Sequence, residues 1–351
     1  MKSTWNYVWI LTLAAFIIVI NTYSMRYGFG LRQITPDSNQ IINTDNLPSE
    51  TPIMGSGALE AITNGSNNKA GKYIVLNFDD SYKSQTTYAK PILDKYGFKA
   101  TFFQVCDWIG SGAKGNEKMA WSDTAMLEDE GHDIQAHTMT HPHLDKLTTS
   151  ELEFEIGESK QCLLDHGINS TIFGYPYGEG WDNPEVSEIV SKYYEMARTN
   201  SEMPLAYLDS DDHISGHYIS LNHGPRDNMN SDTFTDRYAI NSWTHSNIEG
   251  DYSTAEHKCE STCIYYNSSQ MLEKFIEIVE SQAKYNTDGS IRAIPIVVYH
   301  TFVNYPDIRD STRPVDVTVD LFEKEMRYLH DNNIRVLLMS DLLQAFVKSD
   351  S

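Results

Sequence analysis

From Lys72 onward, short apolar runs alternate with segments whose apolar residues recur at helical spacing. That alternation predicts a parallel sheet flanked by helices. Tyr73–Phe78 reads as a buried first strand, and Thr86–Tyr96 as an amphipathic helix ended by Gly97. Ala100–Val105 is the second strand, Asp123–Glu130 a short helix closed by Gly131, and His132–Ala136 the third strand. Glu151–Asp165 reads as a helix closed by Gly167, and Thr171–Phe173 as the fourth strand. A helix from Pro184 to Glu195 leads to strands at Met196–Arg198 and Tyr218–Leu221. Gly224–Gln270 is polar and irregular, too long for an ordinary connection, and is expected to be an elaborated loop near a site. Ile294–Tyr299 is apolar again; the helix Asp320–His330, the strand Arg335–Leu338 and a terminal helix complete the pattern.

Two N-terminal stretches break this rhythm. Ser3–Met25 carries no charge and is long enough to cross a bilayer, with Trp5, Tyr7, Trp9 and Tyr23 near its ends like an interfacial belt. Lys2 precedes it and Arg26 and Arg32 follow, so charge alone does not orient it. Residues 1–25 read as a transmembrane signal-anchor; a cleaved secretory signal is the alternative, although no A-x-A pattern follows the apolar core. Residues 26–70, rich in Asn, Ser, Thr, Gly and Pro, read as a flexible stalk. Either reading puts residues 71–351 outside the cytoplasm. The triplets at Asn64, Asn169 and Asn267 permit glycosylation there. Cys106 and Cys162 are expected to be buried thiols, and Cys259 and Cys263 to close a small disulfide loop. There is no C-x2-C pair, so no zinc ribbon is predicted.

The chain sets 27 Lys and Arg against 49 Asp and Glu, a formal net charge of −22. Such a surface repels nucleic acid and anionic lipid and suits neutral or cationic partners. With 40% apolar residues a sizeable core can form, and residues 71–351 suit one α/β barrel-type domain as well as two small ones.

The chemistry gathers at strand ends. Asp79-Asp80 ends the first apolar run, and His137 and His141 follow the third strand. Pro142 disfavours helical geometry at His141, so the pair reads as part of a turn capping a strand end. One carboxylate and two imidazoles suit Zn²⁺ with an open position; Co²⁺, Fe²⁺ and Ni²⁺ are alternatives. The second carboxylate supplies a base. Successive side chains of an extended segment point apart, so one aspartate can face the metal and the other the water. The residues alone leave the two roles interchangeable. His143, His213, His217, His223, His245 and His257 read as solvated loop histidines.

These segments resemble the polysaccharide deacetylase family (carbohydrate esterase family 4, the NodB homology domain). Asn77-Phe78-Asp79-Asp80-Ser81 is similar to the family's T-F-D-D-G, and His137-Thr138-Met139-Thr140-His141-Pro142 matches H-[ST]-x-x-H-P. Gly174-Tyr175-Pro176-Tyr177-Gly178 resembles R-x-P-[YFW]-G without the arginine, and Val297-Val298-Tyr299-His300 resembles L-x-x-H. The resemblance covers about residues 72–345 and implies a distorted (β/α) barrel. It implies that Asp80, His137 and His141 bind the metal and that Asp79 is the general base. The backbone N–H of Tyr177 would stabilise the oxyanion, and His300 would be the general acid. The implied reaction removes N-acetyl groups from a polysaccharide. An O-acetyl esterase or a catalytically silent glycan-binding protein on the same scaffold are the alternatives. Gly174 stands where the family carries an arginine that pairs with the catalytic aspartate. Arg226, just after a predicted strand end, is the first candidate substitute and Arg198 the second. No D-x-x-D-W motif is present, and Trp243 is a candidate wall of the acetyl pocket or, equally, a core residue.

Overall fold

β1 (Tyr73–Phe78), buried along its whole length, is the hub of a nine-stranded sheet. The computed structural model describes residues 71–349 except 113–116, 201–203, 208–235, 254–257, 288–290, 292 and 312. The expected anchor, stalk and strand Tyr218–Leu221 lie outside the described residues, as does Arg226. Among the described residues no helix is long and apolar enough to cross a membrane.

On one side of β1 lie β2 (Thr101–Gln104), β3 (Asp133–Ala136), β4 (Ile172–Gly174) and β5 (Met196–Arg198), all parallel. On the other side lies parallel β10 (Ala293–Tyr299). The farther edge of β10 is shared by antiparallel β6 (Leu205–Tyr207) and parallel β7 (Trp243–Thr244). The amino half of β1 also pairs with a strand at Arg335–Leu337. Ile240 forms a parallel bridge to Arg198 of β5, while Trp243 and Thr244 pair with β10. The segment from Ile240 to Thr244 therefore joins the two ends of the sheet, and the strands curl into a distorted barrel.

β1 and β10 are buried on both faces, which is why they read as nearly continuous apolar runs. Ile74, Leu76 and Phe78 point outward to the helical layer, and Tyr73 and Val75 inward. Outside, Phe78 stacks on Phe102 (4.8 Å between centroids) and meets Phe322 edge-on (6.0 Å). Burying a phenylalanine is worth roughly 1.5–3 kcal/mol, so this cluster fixes which face of β1 is external.

The flanking helices are α1 (Lys90–Tyr96), α2 (Trp121–Asp129), α3 (Thr149–Leu152), α4 (Ser159–Asp165), α5 (Pro184–Tyr193), α6 (Ser268–Ser281), α7 (Val319–Asp331) and α8 (Met339–Ser349). α1 grows out of a π turn, Gln85–Ala89, and α3 passes into α4 through another, Glu153–Glu158. Gly97, with φ 71°, ends α1 in the left-handed conformation that its lack of Cβ permits.

Two readings of the sequence need correction. Gly224–Gln270 is not loop throughout: besides β7 it holds an antiparallel hairpin, β8 (Ile248–Ser253) with β9 (Lys258–Tyr265), and α6 starts inside its end. Mixed Thr, Tyr and Cys positions hide the hairpin, since neither face of it is continuously apolar. Cys106 and Cys162 are not thiols but a disulfide, with Cα atoms 6.6 Å apart. The barrel wall carrying Cys106 and the helix carrying Cys162 meet only in three dimensions. Cys263 is disulfide-bonded as well, and the side chain of Cys259 lies outside the description.

Candidate active site

Asp79, Asp80, His137, Tyr177, Arg198 and His300 all stand at or just after the carboxyl ends of barrel strands, the face where barrel sites are built. Five of the six non-glycine residues with positive φ among the described residues lie here: Asp80 (74°), Ser81 (55°), Thr138 (68°), His141 (63°) and Tyr177 (58°). Each costs of order 1 kcal/mol and is held by its surroundings.

The three predicted ligands converge. Ligand atoms of Asp80, His137 and His141 lie within 4.8 Å of one another. Asp80 Oδ1 is 3.3 Å from His141 Nε2 and 3.7 Å from His137 Nε2, and it is buried without a hydrogen-bond partner. His137 Nδ1 donates to the Gly174 carbonyl at 2.7 Å, which leaves the Nε2 lone pair free to ligate. Burial pushes both imidazoles down, His141 to about 4, so both are neutral at neutral pH. Burial alone would raise the Asp80 carboxyl; His300, His141, His137 and Lys118 outweigh it and hold it low. An ionised carboxylate and two neutral imidazoles fit a divalent cation.

The histidine loop is a turn, as Pro142 requires. Met139 N and Thr140 N donate to Glu155 Oε2 at 3.1 and 2.9 Å, Thr140 Oγ1 donates to Glu155 Oε1 at 2.6 Å, and His141 N donates to Thr138 Oγ1 at 2.8 Å. Lys118, half-buried, donates to the Asp80 carbonyl at 2.7 Å and lies over the rings of Tyr82 (3.4 Å) and Trp108 (3.9 Å). Burial pushes its ammonium down to about 7 against the pull of Asp80, with Arg313 adding to the fall. Trp108 in turn stacks on His141 at 5.1 Å.

Asp79 lies beside this cluster, with Oδ2 at 3.8 Å from His137 Nε2. Arg198 Nη2 donates to that Oδ2 at 2.6 Å, and both side chains are buried. Gly174 and Arg198 are direct partners in the β4–β5 register, so Arg198 reaches across at the level where the family arginine would sit. A Cβ on Gly174 would lie 3.0 Å from Arg198 Nη2 and 2.9 Å from Phe103, so the glycine keeps the path open. Arg198 also donates to Asn200 Oδ1 at 2.9 Å and covers the Phe103 ring at 4.6 Å.

His300 follows β10, and its Nδ1 is buried without a partner. Gln85, on the first π turn, donates through Nε2 to the carbonyls of both Asp79 and His300 (2.5 and 2.8 Å) and ties the two strand ends together. Tyr177 sits in the turn Pro176–Gly178 after β4. Its exposed ring meets His141 edge-on at 4.5 Å and stacks on His143 at 4.2 Å, while His143 pairs with Glu179 at 2.7 Å. His245 is not solvated but fully buried, with Nε2 2.8 Å from Glu325 Oε1. Trp243 is buried in the outer core, as its core-packing reading expects.

A second cluster, Asp94, Glu130 and His132, lies at the opposite ends of β2 and β3. Lys90 Nζ bridges the two carboxylates at 2.6 and 2.5 Å. Ala100 N–H donates to His132 Nδ1 at 3.2 Å, so Nε2 carries the hydrogen and offers no lone pair. The cluster is structural and has a pH consequence. Burial, with Lys99 next, pushes His132 down from 6.5 to about 4. The folded state refuses a proton that the unfolded chain accepts, so stability is lost as pH falls through that window. The metal-free chain is expected to weaken by up to about 1.4 kcal/mol per pH unit for each such histidine. His132→Leu should flatten the dependence in urea titrations; an unchanged slope would refute the assignment.

Comparison with known proteins agrees with the motifs. Residues 66–195 match the family Polysaccharide deacetylase. YxkH of Bacillus subtilis is 32% identical over 131 residues, which are 36% of this chain and 44% of that protein. The peptidoglycan-N-acetylglucosamine deacetylase PgdA of Listeria monocytogenes is 31% identical over 124 residues, 35% of this chain and 24% of that protein. The chain thus spans less than half the length of the curated relatives it matches. A family 4 carbohydrate esterase from Streptomyces lividans, solved with acetate, aligns over 78% of this chain and 96% of its own at 14% identity and a TM-score of 0.43.

Proposed function

Because residues 66–195 belong to the polysaccharide deacetylase family, we propose that this chain is a metal-dependent hydrolase removing N-acetyl groups from an extracellular or cell-envelope amino-sugar polysaccharide. The convergence of Asp80, His137 and His141 beside a second carboxylate, Asp79, carries this reading. A divalent cation held by those three residues, Zn²⁺ first and Co²⁺, Fe²⁺ or Ni²⁺ as alternatives, would supply Lewis acidity toward a carbonyl and would acidify a water. Asp79 accepts the proton as the water oxygen bonds to the acetyl carbon. The Tyr177 N–H donates to the oxyanion that forms. His300 passes a proton to the nitrogen as the C–N bond breaks, and acetate and the free amine leave.

Arg198 takes the part first expected of Arg226. The same residues serve an O-acetyl esterase, whose leaving atom is oxygen. Acetate release from chito-oligosaccharide is expected to exceed release from acetylated xylan; the reverse favours the esterase. No release from either with metal bound favours a silent glycan-binding protein. Elemental analysis should find about one zinc per chain, and several-fold less after His137→Ala or Asp80→Ala. Unchanged metal content in both variants would refute the ligand set.

The proposed setting is outside the cytoplasm, on a membrane anchor at residues 1–25 and a stalk at 26–70, with catalytic domain 71–351. The Cys106–Cys162 disulfide supports an oxidising compartment. The partners are an acetylated polysaccharide and, through the anchor, the membrane; a net charge of −22 disfavours nucleic acid. N-terminal sequencing of the mature chain separates an anchor from a cleaved signal.

A further inference from the structure

His137 and His141 must present their Nε2 atoms to one point, yet the three residues between them form no helix or strand. Two of the five residues from His137 to His141 have positive φ, a conformation that non-glycine residues do not keep unaided. Cys106 N and Asp107 N donate to the Thr138 and Met139 carbonyls at 3.2 and 2.9 Å, and His141 N to the Thr138 hydroxyl; the remaining contacts to Met139 and Thr140 that hold this turn come from one residue. Glu155 accepts Met139 N and Thr140 N on one carboxylate oxygen and the Thr140 hydroxyl on the other. Its main-chain carbonyl accepts Met139 N as well, at 3.2 Å.

The backbone explains how one residue offers both groups. Glu155 lies in the π turn Glu153–Glu158, where the helical pairing is shifted and the turn widened. Gly157 belongs to the same turn, and a Cβ there would come within 2.8 Å of the Tyr193 ring. Tyr193 is itself fixed, its hydroxyl donating to Glu153 Oε2 at 2.6 Å. The wide turn is thus pinned from outside and aims Glu155 at the metal-ligand loop. Glu155 is buried, and its carboxylate's hydrogen bonds go to the loop backbone and the Thr140 hydroxyl.

We propose that Glu155 is the positioning residue of the metal centre, its carboxylate and carbonyl setting the shape of the loop that brings His137 and His141 together. The proposal rests on the metal-dependent reading above. A role in stability alone would leave metal affinity untouched once the chain is folded. Groups that orient metal ligands typically contribute 10–100-fold in affinity.

The test is zinc affinity by competition with a chromogenic chelator, with thermal unfolding of the metal-free chain recorded alongside. Glu155→Leu is expected to weaken zinc binding by about 10–100-fold. Glu155→Gln should stay within a few-fold of wild type. Its carbonyl oxygen can accept both N–H groups and its amide can donate to the Thr140 hydroxyl. Should Glu155→Leu fail to fold, Thr140→Val removes one contact at the loop surface and is expected to weaken binding several-fold. Wild-type affinity in Glu155→Leu, or in Thr140→Val where that variant stands in, would overturn the proposal. Equal losses in Glu155→Gln and Glu155→Leu would overturn it too, since charge rather than shape would then matter. If the wild-type chain binds no metal, the functional reading falls together with it; if wild type binds and the variants bind equally, only the role of Glu155 falls.

Discussion

Asp79→Asn is expected to retain zinc at the wild-type level while turnover falls by about a hundred- to ten-thousand-fold, the usual contribution of a positioned general base. Asparagine keeps the volume of the side chain and an oxygen to accept from Arg198, so the local packing survives. What disappears is the second carboxylate oxygen. Asp79 Oδ2 is engaged by Arg198, whereas Oδ1 is buried with no partner and is the atom left to receive a proton. Asp80 approaches both histidines, at 3.7 Å from His137 and 3.3 Å from His141, whereas Asp79 approaches His137, at 3.8 Å. Metal content and turnover should therefore separate in Asp79→Asn and fall together in Asp80→Ala. Acetate release measured at matched zinc occupancy decides the matter. Normal turnover in Asp79→Asn would remove it as the base; loss of zinc in that variant would make it a ligand.

Much of this site was legible because polar residues interrupt apolar runs at strand ends. β1 stops at Asp79-Asp80 and β3 stops at His137, and parallel strands put those stops on one face. What was not legible depends on register and on helical irregularity. Arg198 meets Asp79 only because Gly174 is its neighbour in β4–β5 pairing, and no sequence spacing announces that register. Arg226 ranks ahead of Arg198 by sequence, although both follow strand-like runs. Glu155 left a trace: it falls on the same helical stripe as Leu152, Ile156 and Leu163, where an acid needs a partner. The π turn that aims it left none. α6 has a sequence signal that the alternation of strands and helices does not bring out: Met271, Phe275, Ile278 and Val279 recur at helical spacing, and Asn267 accepts from Gln270 N at the N-cap. The Cys106–Cys162 bridge needed the fold, because nothing local brings β2 and α4 together.

Arg198→Ala is expected to be the most destabilising single change at the site, by about 3–5 kcal/mol, because it strands the Asp79 carboxylate in the interior. The guanidinium is fully buried, pairs with Asp79, donates to Asn200 and Ser242, and lies over Phe103. Lysine offers one point charge on a flexible stem and cannot serve the carboxylate, the amide and the ring at once, so Arg198→Lys should recover little. Gly174 provides the sharper test. Its register partner is Arg198, and a side chain there crowds the guanidinium at 3.0 Å and Phe103 at 2.9 Å in the native chain. Gly174→Arg alone should therefore be damaging. Combined with Arg198→Ala, the same substitution returns a guanidinium to the neighbouring strand at the same level. The double variant is expected to be more stable in urea, and more active, than the sum of the two single losses, with a coupling of at least about 0.5 kcal/mol. Additive losses would mean that the arginine acts only from β5, and that Gly174 is small for the sake of Phe103 and His137 alone.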